Sequence, residues 1–389
     1  MKALQMFIFF GIVFSVYGLI NYYIIRRGLS IVSAEHKTLF VIITIAIAAS
    51  YIAGRLIENV WISPVSIALT WIGSFWLAIM TYTFLYLLVI DLLRLVNHFI
   101  PFFPALITSN IEQAKKVVAV VIGVMVLSSV IGGFINTKMI VVKKYSIDIK
   151  KNAGKLKSLN LAVASDLHLG VINNFDFMYN VSEKINNLNP DVILIAGDII
   201  DEDLGPVIKY NVGEHLQRLK AKYGVFAVTG NHEYIGGAEP AVEYLEKLGI
   251  NVIRDKSIKI DNSFYVVGRE DSSSARFEGK KRKELSEIMK DVDKAFPIIM
   301  MDHQPFNLKQ ARINGVDLQL SGHTHNGQLW PFNFIVDKVY ELAWGYKVIG
   351  NTHYYVSCGV GGWGPPVRTG SRPEIINIKL NFVGEETIK

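Results

Sequence analysis

Five of the nine histidines in this chain fall in short polar motifs that each also carry glycine or an acid. SDLHLG holds Asp166 and His168, GDIID holds Asp198 and Asp201, and GNHE holds Asn231, His232 and Glu233. IIMMDHQP holds His303, and SGHTHNGQ holds His323 and His325. Imidazoles mixed with carboxylates, in a chain with a single cysteine, form a donor set for Mn, Fe, Zn or Ni rather than an all-oxygen Mg or Ca cage. Taken singly, each motif has an ordinary structural reading. Asp166 could cap a helix, a Gly-Asp pair is usually a turn, and a lone His303 is more often structural than a ligand. Their joint appearance at successive turns of one region argues for a metal site. If residues 321–328 are extended, side chains two apart point the same way, so His323 and His325 would project from one face toward a shared target.

The elements that must position these motifs are short apolar runs just ahead of them. Candidate strands are 159–165, 191–197, 224–230, 296–301, 316–322 and 354–360. Between the first two, Phe177, Val181, Ile185 and Leu188 recur at helical spacing, and Val207, Leu216 and Leu219 form a comparable stripe in the next gap. Strand alternating with helix predicts a layered α/β domain, with the later, closely spaced strands forming a mixed or second sheet. In open α/β sheets ligands bind beyond the strand ends, where these loops would converge.

Ahead of this region the composition differs. The 389 residues are 51% hydrophobic, with a mean hydropathy of +0.31, too apolar for an ordinary soluble protein. Charge-poor runs lie at 3–25, 38–54, 59–90 and 117–137. A bilayer-crossing helix needs roughly 20 apolar residues, so four spans are expected, giving a multi-pass protein of the cell membrane. The length of the first run and the IIRRGLS that follows it favour a retained anchor over a cleaved leader. The net charge of +6 and pI near 9.0 come partly from Lys138, Lys143, Lys144, Lys150, Lys151, Lys155 and Lys157, just past the last run. Lysines beside a membrane predict contact with anionic lipid rather than nucleic acid. One cysteine, Cys358, excludes an intrachain disulfide framework and a thiolate-rich zinc site.

The five motifs together resemble the calcineurin-like metallophosphoesterase superfamily, whose blocks D-x-H, G-D, G-N-H-[DE], H and G-H-x-H all have counterparts here. The resemblance runs over about residues 140–381. CGVGGWGPPVRTGSRPEI also looks like the C-terminal segment of its membrane-associated bacterial branch. It implies an αββα sandwich over 138–389, joined to a membrane region over 1–137, and two divalent ions. Asp166, His168, Asp198 and His325 would hold one ion. Asp198, Asn231, His303 and His323 would hold the other, with Asp198 bridging. His232 would be the catalytic histidine, protonating a leaving group or steadying charge, with Asp201 either orienting it or capping a helix. Glu233 is expected to fix its loop rather than react. Arg368, in GPPVRTG, is expected either to reach substrate phosphate or to sit exposed in a turn.

Two such ions carry four positive charges, of which Asp166 and Asp198 cancel two. The remainder would attract a phosphate oxyanion and lower the pKa of a bound water. The implied activity is cleavage of phosphoester or pyrophosphate bonds. With the site near a bilayer, a lipid-linked phosphate is the leading substrate class, and the basic stretch 272–283 could face headgroups or be a solvated loop. A zinc peptidase would need H-E-x-x-H, of which NHEYIG offers half. A nucleobase deaminase would need P-C-x-x-C, which one cysteine cannot supply. The alternatives are a non-catalytic metal- or phosphate-binding module and a phosphodiesterase of soluble substrates.

Overall fold

The computed structural model describes residues 2–384. The chain divides into two compact units, Met1–Ile135 with Gly364–Val367, and Asn136–Trp363 with Arg368–Lys389.

In the first unit, three helices among the described residues are long and apolar enough to cross a membrane: Ala34–Val60, Pro64–Phe99 and Ile111–Thr137. The first apolar run lies in a further helix, Lys2–Gly28. The turn at 61–63 ends one span and Ser63 starts the next, its hydroxyl accepting from Ser66 N while Pro64 opens the helix. Small residues let the helices Ala34–Val60 and Pro64–Phe99 approach closely, since a Cβ at Gly73 would lie 2.2 Å from Tyr51 N. Asn21 links polar groups inside the bundle. Trp76 Nε1 donates to Asn21 Oδ1 (3.0 Å), and Asn21 Nδ2 donates to Tyr17 O (2.9 Å).

The second unit contains two six-stranded sheets. In chain order the strands are β1 (Val141–Ile149), β2 (Ser158–Ala164), β3 (Val192–Ala196), β4 (Val225–Val228), β5 (Asn251–Val252) and β6 (Lys256–Ile260). They continue with β7 (Phe264–Gly268), β8 (Ile298–Met301), β9 (Leu318–Ser321), β10 (Gly345–Ile349), β11 (Thr352–Val356) and β12 (Glu374–Phe382). One sheet has the order β1-β12-β2-β3-β4-β5, the other β10-β11-β9-β8-β7-β6. Strands β2 to β5 are parallel, as are β7, β8, β9 and β11, with antiparallel partners at β12, β6 and β10. Both sheets are therefore mixed.

Strand periodicity decides which residue faces which layer. On β2, Leu159, Leu161 and Val163 enter a core shared with Phe264, Val266, Ile299, Leu318 and Ile376 between the sheets. Ala162 and Ala164 face the other way, against Met178, Val181 and Ile185 of the helix Phe175–Asn186. Beyond the second sheet, Val267, Ile298 and Met300 pack on Leu285, Met289 and Leu308. The order of layers is helix, sheet, sheet, helix, the αββα arrangement expected.

The basic segments are partly engaged within the fold. Lys143 and Lys144 lie on β1, at adjacent positions that point to opposite faces. Lys151 Nζ sits 2.7 Å from Asp317 Oδ2 and also donates to Gly315 O. In the 272–283 stretch, Arg282 donates to Asp302 Oδ1 (2.9 Å), and Lys280 lies 3.2 Å from Glu278 and 3.7 Å from Glu239. The lysine block is thus no uniform lipid-facing strip, because the fold spends part of it on its own acids and sheet edge.

Candidate metal centre

Each motif begins where a central strand stops. β2 ends at Ala164 ahead of Asp166, β3 at Ala196 ahead of Asp198, and β4 at Val228 ahead of Asn231. β8 ends at Met301 ahead of His303, and β9 at Ser321 ahead of His323. The two sheets therefore deliver all five loops to one place.

At that edge the backbone turns left-handed. Asp166 (φ 55°), His168 (45°), Asp198 (51°), His323 (72°) and His325 (49°) all occupy the region that costs a non-glycine residue about 1 to 2 kcal/mol. This corrects the extended reading of 321–328. His323 and His325 are left-handed residues flanking a right-handed Thr324, so no strand pleat aligns them. Their rings go to different neighbours, His325 to Asp166 and His168, His323 to Asp198 and His303.

Two donor groups result. In the first, His168 Nε2 and His325 Nε2 are 3.1 Å apart, and Asp166 Oδ1 is 3.4 Å from His325 Nε2 and 4.0 Å from His168 Nε2. In the second, His303 Nε2 is 3.0 Å from Asp198 Oδ2, with His323 completing the group. Asp198 Oδ2 is also 3.8 Å from His168 Nε2, so this one oxygen faces both groups. Its other oxygen is fixed by His232 N, which donates to Oδ1 at 2.9 Å. Asn231 Oδ1 is buried with no hydrogen-bond donor facing it.

These atoms suit metal ions. His303 Nδ1 donates to Ala196 O (2.7 Å), which turns Nε2 inward toward Asp198 Oδ2. Burial opposes charge on this ring, but Asp198 outweighs it and holds His303 well above the ordinary histidine value, and an ion bound there would take the place of the Nε2 proton. Burial, with His303 adding to it, pushes His323 down to about 3. Burial and then His168 hold His325 well below the ordinary histidine value. Both are therefore neutral, the form that binds metal. Burial works against charge on Asp198, but His303, His232 and His168 outweigh it and hold the carboxyl well below its ordinary value. For Asp166, burial and the charge of Asp198 prevail and raise it.

Backbone contacts hold the donors in place. His323 N donates to Asp166 Oδ1 (2.9 Å), and Ser165 Oγ donates to Asp166 Oδ2 (2.6 Å). Glu233 accepts four main-chain N–H groups: Ile199 (2.7 Å) and Ile200 (2.9 Å) on Oε1, Gly230 (2.6 Å) and Asp198 (3.2 Å) on Oε2. The motif glycines permit this closeness. A Cβ at Gly230 would lie 2.1 Å from Asp198 Oδ1, and one at Gly322 1.8 Å from Ser165 Oγ.

Asp201 Oδ1 lies 3.3 Å from His232 Nδ1 and 3.4 Å from His168 Nδ1. The helix cap in GDIIDED is Asp203, whose side chain accepts from Gly205 N, so the capping alternative for Asp201 falls. Burial opposes it, yet the close approach of His168 and His232 keeps Asp201 far below the usual carboxylate range. His232 is pushed up to about 9, since Asp198 and Asp201 outweigh its burial. His232 also lies near enough to His168 and Asp198 for the three to share an ion. Arg368 is neither exposed nor turned to solvent. It is buried, donating to Gly359 O (2.8 Å) and to Cys358 O. There it props the loop whose Gly359 packs on Asp166.

Residue types alone did not mark Asn173 or Trp363. Asn173 Nδ2 bonds to the carbonyls of Leu167, His168 and Gly362, tying the His168 loop to the C-terminal segment. Trp363 stands 6.2 Å from the His232 ring, centroid to centroid. Nothing in VINNFD separates Asn173 from an ordinary loop asparagine. Trp363 sits in a Gly-rich stretch that a search for aromatics beside turns would select.

Residues 159–327 match the family of calcineurin-like phosphoesterases. An uncharacterized metallophosphoesterase of Aquifex aeolicus is 32% identical over 266 residues, covering 67% of this chain and 100% of that protein. One from Helicobacter pylori strain J99 is 32% identical over 58% of this chain, and the match spans 60% of its length. A Danio rerio protein described as a transmembrane protein with metallophosphoesterase domain is 31% identical over 60% of this chain and 56% of its own. The chain belongs to the calcineurin-like metallophosphoesterase family, and its apolar helices associate it with membranes.

Proposed function

We propose that this protein is a multi-pass, membrane-anchored phosphohydrolase with two divalent ions, built from a membrane region over 1–137 and a catalytic domain over 138–389. Asp166, His168, Asp198 and His325 would hold one ion, and Asp198, Asn231, His303 and His323 the other. The observation that carries this is Asp198: one oxygen is pinned by a backbone amide while the other faces both donor groups. When bound, the ions supply positive charge for a phosphoryl oxyanion and acidify water.

The chain's own residues do the rest. His232 stands beside Asp198 and Asp201, which favour its protonated form, so Nε2 can give a proton to a departing oxygen while Asp201 fixes the ring through Nδ1. Glu233, Ser165 and Arg368 keep the loops from relaxing out of their left-handed turns. Trp363 flanks His232, a place for the leaving group's apolar part. The substrate proposed is a lipid-linked phosphoester or pyrophosphate, supported by membrane-capable helices in the same chain.

The test uses the full chain in micelles with Mn, assayed on bis-p-nitrophenyl phosphate, then on phospholipids and nucleotide-lipid diphosphates. Elemental analysis should find close to two ions per chain. An empty protein after supply of Mn, Fe and Zn would remove the hydrolase reading. Cleavage of soluble diesters alone, without competition from vesicles, would remove only the lipid reading.

A further inference from the structure

The segment after the last histidine motif carries large apolar side chains that stay half or more exposed. Trp330 (51% exposed), Phe334 (58%), Ile335 (59%) and Val339 (61%) fall within ten residues, the last three on the helix Asn333–Val339. Scattered exposed apolar residues are ordinary, but four large ones within ten residues, with Lys338 set among them, suit a contact surface. Asp337 and Lys338, also exposed, leave the helix without net charge.

Two observations bear on what could cover it. Trp330 N donates to Thr369 Oγ1 (2.9 Å), and the neighbouring carbonyls of Arg368 and Ser371 accept from Asn136 Nδ2 at 2.9 and 2.8 Å. Asn136 lies in the last turn of Ile111–Thr137, a membrane-capable helix, so the face is tied to the point where the chain leaves that helix. In addition, Tyr340, next after Val339, stacks on Phe306 (4.9 Å between centroids) and stands 6.2 Å from the His323 ring. Within the second unit, the face is thus bonded to the loop that holds Asn136 and runs into Tyr340 beside the metal centre.

We propose that Trp330, Phe334, Ile335 and Val339 seat in the headgroup and upper acyl zone of the lipid bilayer. Trp and large apolar side chains on a short helix with few charges suit that zone. A tethered bilayer is also present at high effective concentration, unlike a separate protein partner. The seat goes beyond the hydrolase reading and stands whether or not the centre turns over a substrate. If both hold, a membrane-resident phosphoester reaches His323 without leaving the bilayer surface.

The test labels Ile335→Cys and Val339→Cys in the full chain, in vesicles of phosphatidylcholine and phosphatidylglycerol, with a nitrobenzoxadiazole dye. The native Cys358 is buried and does not compete for label. Ile313→Cys is the control: Ile313 is 64% exposed and ends the helix Lys309–Ile313, at the opposite end of β9 from His323. Blue-shifted emission and several-fold stronger quenching by shallow doxyl-lipids at 335 and 339 than at 313 are expected. Quenching equal at all three positions would overturn the seat. So would a blue shift that doxyl-lipids do not quench, which would place a second copy of the chain on the face. Neither readout requires turnover, so failure here leaves the hydrolase reading untouched.

Discussion

Replacing Glu233 with glutamine tests how the centre is held, separately from its chemistry. The carboxylate is buried and accepts four main-chain N–H groups, two from the turn after β3, one from Asp198 itself and one from Gly230. An amide keeps one acceptor oxygen, which serves two of the four. The other two N–H groups would face an NH2, donor against donor. Each buried donor left unmet costs about 1 to 3 kcal/mol, so the variant should lose about 2 to 6 kcal/mol. For a domain of this size each kcal/mol moves the midpoint by about 2 to 4 °C, so the unfolding midpoint should fall by at least about 4 °C. The assay is thermal unfolding of the full chain in detergent, followed through the aromatic signal. Elemental analysis is made in parallel below the transition. Because the misfit lies between the β3 and β4 turns, metal affinity should fall with stability, both Asp198 and Asn231 being moved. A Glu233→Gln protein with wild-type midpoint and full metal content would refute the claim that this side chain locks the two turns.

Asp198→Ala should lose metal and turnover together, since one oxygen faces both donor groups; turnover at the wild-type level would end the bridging assignment. His232→Ala should retain both ions while turnover falls by about 100-fold or more; loss of an ion instead would make His232 a ligand, as its closeness to His168 and Asp198 permits. Gly322→Ala brings a Cβ to 1.8 Å from Ser165 Oγ and 2.3 Å from Asp166 Oδ2, so Asp166 must shift. Its metal content should drop in elemental analysis, and a variant that loads like wild type would show that the loop yields. Chelation of the wild type should lower its unfolding midpoint, with recovery on adding Mn, because ions that bind only the folded state stabilise it.

The strands easiest to read are those buried on both faces. β3, β4 and β8 are unbroken apolar runs, β2 and β9 carry apolar residues at every second position or better, and every motif follows one of the five. The strands that such runs do not reveal are edges or next to edges. β1 carries Lys143, Lys144 and Asp148 because one side of it has no strand partner. β12 alternates apolar and polar residues from Ile376 to Phe382, so its signal is one of period rather than of hydrophobicity.

Residue type and local spacing are properties of the chain itself, so the sequence determined the donor set, its order along the strands, the membrane-capable helices and the family. The fold decided everything that depends on distant residues meeting. Left-handed turns sent His323 and His325 to different donor groups, and Ala196 fixed which nitrogen His303 presents. Asp201 became a partner of two histidines because Asp203 took the cap, and Arg368 turned inward to two carbonyls. No pattern in one segment encodes these outcomes, because each is the energetic compromise among five loops that must share one buried, charged space.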